Sequence, residues 1–344
     1  MTSLSLPMIQ KRKKQRSIAI MITIAVLIVI MVIISMNTGF IRLSPMDLLR
    51  TLFGTGTKKE ELILFDFRLP RIVISLLIGA GLAVSGCVMQ AISRNALADP
   101  GILGINAGAG LAVMLFISFY PSTAQAPIYL LPVFAWLGAG LTAALICLLS
   151  FKRHENISPT RLLLTGIAVA AGISAAMIVL TLKLSPEKYQ TMATWLAGSI
   201  WGTNWKYVLA LLPFIVVLLP YIFYKARIMN VLNLGEQTAT GLGAYVSREQ
   251  ILLLAAAVGL AGSCVAVSGG IGFVGLIGPH LARRLVGPKH QLLLPTSALA
   301  GSLLVITADT IGRWILQPSE VPTGIVVAVI GAPYFLYLLT RSKA

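Results

Sequence analysis

The residues that could bind a metal or attack a substrate are few in this sequence and stand far apart. The cysteines are Cys87, Cys147 and Cys264. Each lies alone in an apolar run, so their spacing predicts neither a zinc site nor a disulfide framework. The histidines are His154, His280 and His290. They are equally scattered, and the sequence therefore predicts no metal or haem site and no catalytic constellation. We expect the chain by itself to be no enzyme and to hold no cofactor.

The sequence also lacks the motif of a nucleotide-binding site and has few buried acidic residues. The segment GTGTKKEE at 54–61 lacks the spacing of a phosphate-binding loop. Ion-driven carriers bury ionisable residues near the membrane centre, and the only acidic residue inside a predicted span is Asp309. Arg313 follows it at i+4, where the two side chains can form an ion pair. We interpret this pair as structural, with a proton relay as the alternative.

The elements that position these residues are predicted to be membrane helices. Of 344 residues, 57% are hydrophobic and 11% are charged, whereas a soluble domain has about 25% charged residues. A soluble globule of this size could not hide so much apolar surface. The net charge of +16 lies mainly between apolar runs and forms no basic domain with interleaved aromatic residues. We therefore expect the lipid bilayer, and not nucleic acid, as the environment of the chain.

Ten apolar segments have about the length that crosses a bilayer. They are predicted at 18–36, 70–91, 103–119, 128–150, 160–182, 207–224, 250–268, 271–287, 293–312 and 322–339. The eighth is unusual because it is short, begins with two glycines and carries Pro279, which we expect to interrupt the helix. The chain thus divides into a basic cytoplasmic N-terminus, 1–17, and a single transmembrane domain, 18–344.

Basic residues between the spans predict the orientation. With the N-terminus inside, the inside segments hold 17 Lys and Arg residues and the outside segments hold 10. The positive-inside rule therefore places both termini in the cytoplasm of a multi-pass cell-membrane protein. Six of the outside charges fall in one segment, 42–71, which calls for a functional explanation. Runs of small residues, above all TGIAVAAGISAA at 165–176, predict close helix packing, and this run predicts a helix that lines a pore or faces a second copy.

Three long stretches carry a family resemblance. They are FRLPRIVISLLIGAGLAVSGCVMQAISRNALADPGILGINAGAG at 67–110, NLGEQTATGLGAYV at 233–246, and the region that begins GGIGFVGLIGPHLARR at 269 and runs to 339. The chain resembles, from about residue 42 to its end, the permease family of ABC importers for iron-siderophores, cobalamin and haem. One departure is Ala96, where the family usually has proline. The resemblance implies an all-α integral membrane bundle of about ten transmembrane helices with the type II ABC importer permease fold.

The resemblance also implies two sites. In the family, the loop at 233–246 forms coupling helices that dock into the ATPase subunit. The matching residues here are Gly235, Glu236, Gly241, Leu242 and Gly243. Arginines at three matching positions pair with acidic residues of an external binding protein in similar permeases. They are Arg68, Arg71 and Arg313. The alternatives are a solvated connecting loop for the first site and lipid-headgroup anchoring for the second.

The expected function is that of a permease subunit which imports a ferric siderophore with ATP hydrolysed by a separate subunit. The implied partners are cytoplasmic ABC ATPase subunits, an extracytoplasmic substrate-binding protein and a second permease chain, identical or homologous. Cobalamin or haem is the alternative cargo. The alternative from another class is a carrier driven by an ion gradient, which the scarcity of buried carboxylates disfavours. The sequence names neither the particular cargo nor the identity of the second chain.

Overall fold

A computed structural model describes residues 6–39, 44–120, 130–150 and 159–341, and within these ranges the regular structure is entirely helical. The α-helices are α1 Leu6–Asn37, α2 Pro45–Leu52, α3 Lys58–Glu61, α4 Leu69–Ser93, α5 Ile105–Phe119, α6 Leu130–Ser150, α7 Pro159–Thr181, α8 Pro186–Leu196, α9 Trp205–Tyr224, α10 Ala226–Leu232, α11 Glu236–Gly241, α12 Val246–Ser268, α13 Val274–Val286, α14 His290–Ile315 and α15 Thr323–Arg341. A π-helical segment, Leu62–Arg68, joins α3 to α4, and a 3-10 turn, Pro100–Leu103, precedes α5. His154 lies outside the described residues.

Each of the ten predicted spans coincides with a helix. By length and composition, seven helices among the described residues could cross a membrane. They are α1, the continuous helix through α3 and α4, α6, α7, α9, α12 and α14. The apolar helices α5 and α15 are shorter. Helix α13 has 13 residues, which is about 20 Å of helix against a hydrocarbon core of about 30 Å. It cannot cross the bilayer without the segment that precedes it.

The break near α13 falls before the helix, so the prediction that Pro279 interrupts it was wrong. Residues 269–273 are not helical, and Phe273 adopts a left-handed conformation with φ +64°. Pro279 lies inside α13, where its missing N–H leaves the carbonyl oxygen of Gly275 without a helical donor. The side-chain Nε2 of Gln90 on α4 donates to that oxygen at 3.4 Å. Because a neighbouring helix satisfies the carbonyl, α13 continues through the proline.

Glycines set the closest crossings around α4, which packs against α12, α13 and α14. A Cβ atom on Gly79 would lie 2.3 Å from the carbonyl oxygen of Gly301 on α14, and one on Gly86 would lie 1.9 Å from a carbonyl oxygen of α13. Side chains cannot fit at either point, so the helix backbones touch directly. The Ser85 hydroxyl donates to the carbonyl of Ala257 on α12 at 2.7 Å. The predicted close packing of small residues is thus confirmed for α4.

Helix α7 differs from α4 because much of it is exposed. The small-residue run at 165–176 lies on this helix, and a Cβ atom on Gly172 would meet no other atom within 4 Å. Glycine at this position is therefore not required by packing within the chain. Such exposure fits the expectation of a helix that lines a pore or faces a second copy, which stays a prediction.

The bundle has two polar ends. The arginine end gathers the last turn of α1, the start of α4, the end of α14 and the turn before α15, and we name it after Arg68, Arg71 and Arg313. The loop end gathers the end of α4, the start of α14 and the coupling loop, residues 225–249, which contains α10 and α11. Helix α14 connects the two ends, from His290 at the loop end to Ile315 at the arginine end.

Candidate functional site

Asp309 is the centre of the arginine end, and its side chain is completely buried. Nε and Nη2 of Arg71 lie 2.9 and 2.8 Å from Oδ1 of this carboxylate. Nε of Arg313 lies 3.1 Å from Oδ2, and the hydroxyl of Thr323 donates to Oδ1 at 3.2 Å. One carboxylate therefore joins α4, α14 and the start of α15. The predicted ion pair between Asp309 and Arg313 is confirmed.

Arg313 and Arg68 bind the C-terminal end of α1. Nη1 of Arg313 donates to the carbonyls of Ser35, at 3.3 Å, and Thr38, at 3.0 Å, while Nη2 donates to the Ser35 hydroxyl. Nη1 of Arg68 donates to the carbonyl of Met36. Carbonyls at the end of a helix lack intrahelical donors and carry partial negative charge, so cations stabilise them. These two side chains thus cap α1.

Glu320 is the more exposed of the two acids in this cluster. Its Oε2 lies 2.7 Å from Nη1 of Arg71, and its side chain is 31% exposed, against 11% for that arginine. A pocket of about 350 Å³ opens here. The residues that line it include Lys59, Arg68, Arg71, Arg313 and Glu320. The structure therefore brings together the three arginines predicted from the sequence, and it engages each of them with partners inside the chain.

Sequence reasoning placed Asp309 correctly but missed Glu320 as a partner of Arg71. The two residues are 249 positions apart, so helical spacing carries no signal for their contact. The signal that was available is chemical. Glu320 follows the C-terminal end of α14, and the sequence predicts that this end and the arginine-rich segment 42–71 lie on the same side of the membrane.

At the loop end, α11 is a short helix between two glycines in left-handed backbone conformations. Gly235 has φ +108° and Gly243 has φ +83°, a region that other residues adopt only with strain. Cβ atoms built on Gly235, Gly241 or Gly243 would meet no atom within 4 Å. Glu236 begins the helix and Gly241 ends it. This loop therefore contains a short surface helix, and the space around its glycines is open.

Three large apolar side chains stand exposed around α11. Leu234 is 60% exposed, Leu242 is 64% exposed and Tyr245 is 78% exposed. An exposed apolar cluster on a polar loop is typical of a surface that another protein covers. Sequence reasoning singled out Leu242 alone. Leu234 and Tyr245 flank the same glycine motif, and their apolar character within a polar loop was the signal for them.

The coupling loop is tied firmly to the transmembrane helices. Oδ1 of Asn230 on α10 accepts hydrogen bonds from the backbone N–H, at 3.0 Å, and Nδ1, at 2.9 Å, of His290. Its Nδ2 donates to Oε1 of Gln291 at 2.8 Å. Nη2 of Arg94, at the end of α4, donates to the carbonyl of Leu232 at 3.3 Å. These hydrogen bonds link α10 directly to the start of α14 and to the end of α4.

An ion pair closes the base of the coupling loop. Nζ of Lys225, just after α9, lies 2.8 Å from both carboxylate oxygens of Glu249 in the first turn of α12. This hydrogen bonding raises the pKa of the Lys225 ammonium group above its ordinary value. The ion pair joins the end of α9 to the first turn of α12 and so holds the two ends of the loop close together.

The chain is similar to known proteins over nearly its whole length. It matches the FecCD transport family over residues 27–341. The chain belongs to the FecCD transport family. Members of this family are permease subunits of ABC import systems and are not themselves enzymes.

Relatives within the FecCD family are similar over most of their length. The chain is 50% identical over 314 residues to the iron(3+)-hydroxamate import system permease protein FhuG of Bacillus subtilis (strain 168), which covers 90% of this chain and 93% of that protein. It is 36% identical to the Fe(3+) dicitrate transport system permease protein FecD of Escherichia coli (strain K12), with 90% and 95% covered. It is 39% identical to the hemin transport system permease protein HmuU of Yersinia pestis, with 90% and 91% covered.

A solved structure supports the same assignment. A metal-chelate type ABC transporter in an inward-facing conformation superposes with a TM-score of 0.82 and 33% sequence identity, which covers 94% of this chain and 99% of that chain. The all-α, multi-pass type II ABC importer permease fold that the sequence predicted is thereby confirmed.

Proposed function

We propose that this chain is the permease subunit of a binding-protein-dependent ABC importer that moves a ferric siderophore into the cytoplasm. The observation that carries the proposal is the 50% identity, over 90% of the chain, to a permease named for iron(3+)-hydroxamate import. Haem is the second candidate cargo, because the chain is 39% identical to a hemin permease. ATP is hydrolysed on a separate subunit, since the sequence contains no phosphate-binding loop.

The orientation follows from charge. The loop end faces the cytoplasm and the arginine end faces outward, with both termini at the loop end. The excess of basic residues in the segments assigned to the inside supports this arrangement. Labelling of cysteines introduced near each end, from outside intact cells, tests it. Reaction at the loop end would contradict the orientation.

The ATPase subunit docks on the coupling loop in this proposal. Leu234, Leu242 and Tyr245 would enter an apolar cleft of that subunit, and the open glycines would let the two backbones approach. Asn230 and Arg94 would carry the motion of α10 to α14 and α4. The ATPase cycle would thus act on the helices through contacts that are short and polar.

The extracytoplasmic binding protein docks on the arginine end in this proposal. Four basic side chains line the pocket there, against Asp309 beneath it and Glu320 at its edge. The excess positive charge would attract acidic side chains of the binding protein and orient the encounter. A second permease chain, identical or homologous, would pack so that α7 of each copy faces the transport path.

Transport in reconstituted vesicles tests the function directly. Permease, ATPase and binding protein would be combined, and uptake of radioactive iron as a ferric hydroxamate would be compared with uptake of haem. We expect uptake of the hydroxamate that requires both ATP and the binding protein. Uptake driven by a proton or sodium gradient without ATP would contradict the proposal, and uptake of haem alone would change the cargo.

A further inference from the structure

Four basic side chains line one groove at the loop end, away from the coupling helices. Three of them, Lys13, Lys14 and Arg16, lie in the N-terminal part of α1. The fourth, Lys289, immediately precedes α14. The groove has a volume of about 680 Å³, and no acidic residue lines it among the described part of the chain. Two segments far apart in sequence thus converge on a strongly positive concavity.

The groove lies where the basic N-terminal part of α1 gives way to its apolar run. Its apolar floor is formed by Leu285, Val286 and Leu292. Directly beyond it along α1, Ile18 and Ile22 are exposed, as side chains in contact with lipid must be in a helix that spans the membrane. A ligand in this groove would therefore have cations around one part and an apolar helix surface beside the other.

We propose that this groove binds the headgroup of an anionic phospholipid from the cytoplasmic leaflet. The phosphate would lie between the lysines of α1 and Lys289, and the acyl chains would follow the apolar side of α1. Basic clusters next to a membrane helix attract anionic lipids because each cation interacts with the negative surface of that leaflet. The proposal rests on the proposed orientation, which places this end of the bundle in the cytoplasm.

The lipid would also stabilise the attachment of the coupling loop. Gln291 lines the groove and accepts the hydrogen bond from Asn230 on α10. Lys289 precedes His290, whose backbone N–H donates to the same asparagine. A headgroup held by Lys289 would restrain this turn, and through it α10. Anionic lipid therefore tightens the link between the ATPase subunit and α14.

Lipid retention by the purified permease tests the proposal. The permease would be placed in nanodiscs of phosphatidylcholine alone or with phosphatidylglycerol, and bound lipid would be counted by native mass spectrometry after transfer to detergent. The groove variant combines Lys14→Gln with Lys289→Gln. The matched control combines Arg12→Gln with Arg284→Gln, which removes two cations from the same two regions outside the groove.

We expect the wild type and the control to retain phosphatidylglycerol and the groove variant to lose it. A groove cation in contact with the phosphate should contribute a factor of about five in affinity, so the double change weakens retention by about 25-fold. The control cations lie outside the groove and should contribute little after transfer to detergent, where no charged membrane surface remains. In the assembled transporter, added phosphatidylglycerol should raise the uptake per ATP hydrolysed in the wild type and the control, but not in the groove variant. Equal loss of phosphatidylglycerol from both variants would show only a general attraction between basic residues and anionic lipid, and would overturn the proposed site.

Two further outcomes would also overturn the proposal. If the groove variant retains phosphatidylglycerol as the wild type does, the groove is not a lipid site. If it retains lipid but loses the ATPase subunit, the groove belongs to a protein interface. The retention assay uses the permease alone, so its failure leaves the importer function and its own uptake test untouched.

Discussion

The arginine end and the loop end use their conspicuous residues in opposite ways. At the arginine end, the cations that stand out in the sequence are mostly buried and bound to Asp309, Glu320 and the last carbonyls of α1. At the loop end, Leu242 and its apolar neighbours remain exposed, and the loop around them is fixed by polar contacts. The charged groups of the arginine end have their partners within the chain, whereas the loop end presents an apolar surface that the chain itself does not cover.

Because of this difference, substitutions at the two ends should affect different properties of the protein, namely its stability and its docking to partners. A buried charge network is sensitive to the loss of one member, because the remaining charges are left without compensation. Exposed apolar residues add little to the stability of the isolated chain, and their burial by a partner is worth more. Substitutions at the arginine end should therefore affect folding first, and those at the loop end should affect assembly first.

The largest effect is expected from Asp309→Asn. It leaves Arg71 and Arg313 buried without their shared carboxylate, and the loss of one partner from a buried ion pair costs about 3–5 kcal/mol. Thermal unfolding of the purified permease should show this loss. The control is Asp47→Asn, an acid at the same end that caps the exposed helix α2. Normal stability with abolished transport would instead favour a proton relay at Asp309.

Leu242→Ser should act on assembly. Burial of a leucine side chain contributes about 1.5–3 kcal/mol, so affinity for the ATPase subunit should fall by about ten- to one hundred-fold. Unfolding of the permease alone should be unchanged. Leu316→Ser, at an exposed leucine of the arginine end, provides the matched control. If both variants bind the ATPase equally well, the coupling loop is a solvated connector.

Gly241→Leu tests the same surface by adding volume. Gly241 ends α11 with an ordinary helical conformation and has open space around it, so a larger side chain should not disturb the isolated chain. Inside a closed interface, extra volume costs about 1–3 kcal/mol. ATP-dependent uptake should fall while expression and unfolding stay normal. The same change at Gly243 is less informative, because its positive φ would strain the backbone.

The smallest effect is expected from Glu320→Gln, which tests docking at the arginine end. Replacement of Arg68 and Arg71 by acidic residues would break the internal ion-pair network as well as any contact with the binding protein. Such a variant therefore cannot isolate docking. Glu320 is partly exposed, and such pairs contribute about 0–1 kcal/mol. The substitution removes one negative charge beside Arg71, so affinity for the binding protein should rise a few-fold at low salt and less at high salt. Lower affinity would mean that Glu320 itself contacts the binding protein.

Sequence reasoning worked well where the signal was local or strongly periodic. Long apolar runs located the helices, and i+4 spacing located the contact of Asp309 with Arg313, because both depend on neighbouring residues. It failed at α13, where Pro279 was expected to break the helix. The outcome there depends on Gln90, which is distant in sequence and supplies the missing hydrogen bond.

The sites were predicted less completely than the fold. Family resemblance placed Arg68 and Leu242 in functional regions, but burial decides whether a charge faces a partner or the interior. The carbonyls that Arg68 and Arg313 bind lie at the end of α1 and just after it, thirty or more residues before the first of these arginines. No spacing rule connects such positions, so only the assembled bundle reveals that these cations are already engaged.

The contact between Gly79 and Gly301 has a consequence for both ends at once. Helix α14 is 26 residues long, about 39 Å, and Gly301 lies near its middle, pressed against the backbone of α4. The Gly79–Gly301 contact can act as a pivot about which α14 tilts relative to α4, and such a tilt would strain the Arg71–Asp309 ion pair, because that pair joins the same two helices at the arginine end. We infer that a pull on Asn230 would displace Arg313 in the opposite sense, and paired spin labels at the two ends would record that motion. A fixed separation of each label from α4 through the ATP cycle would rule it out.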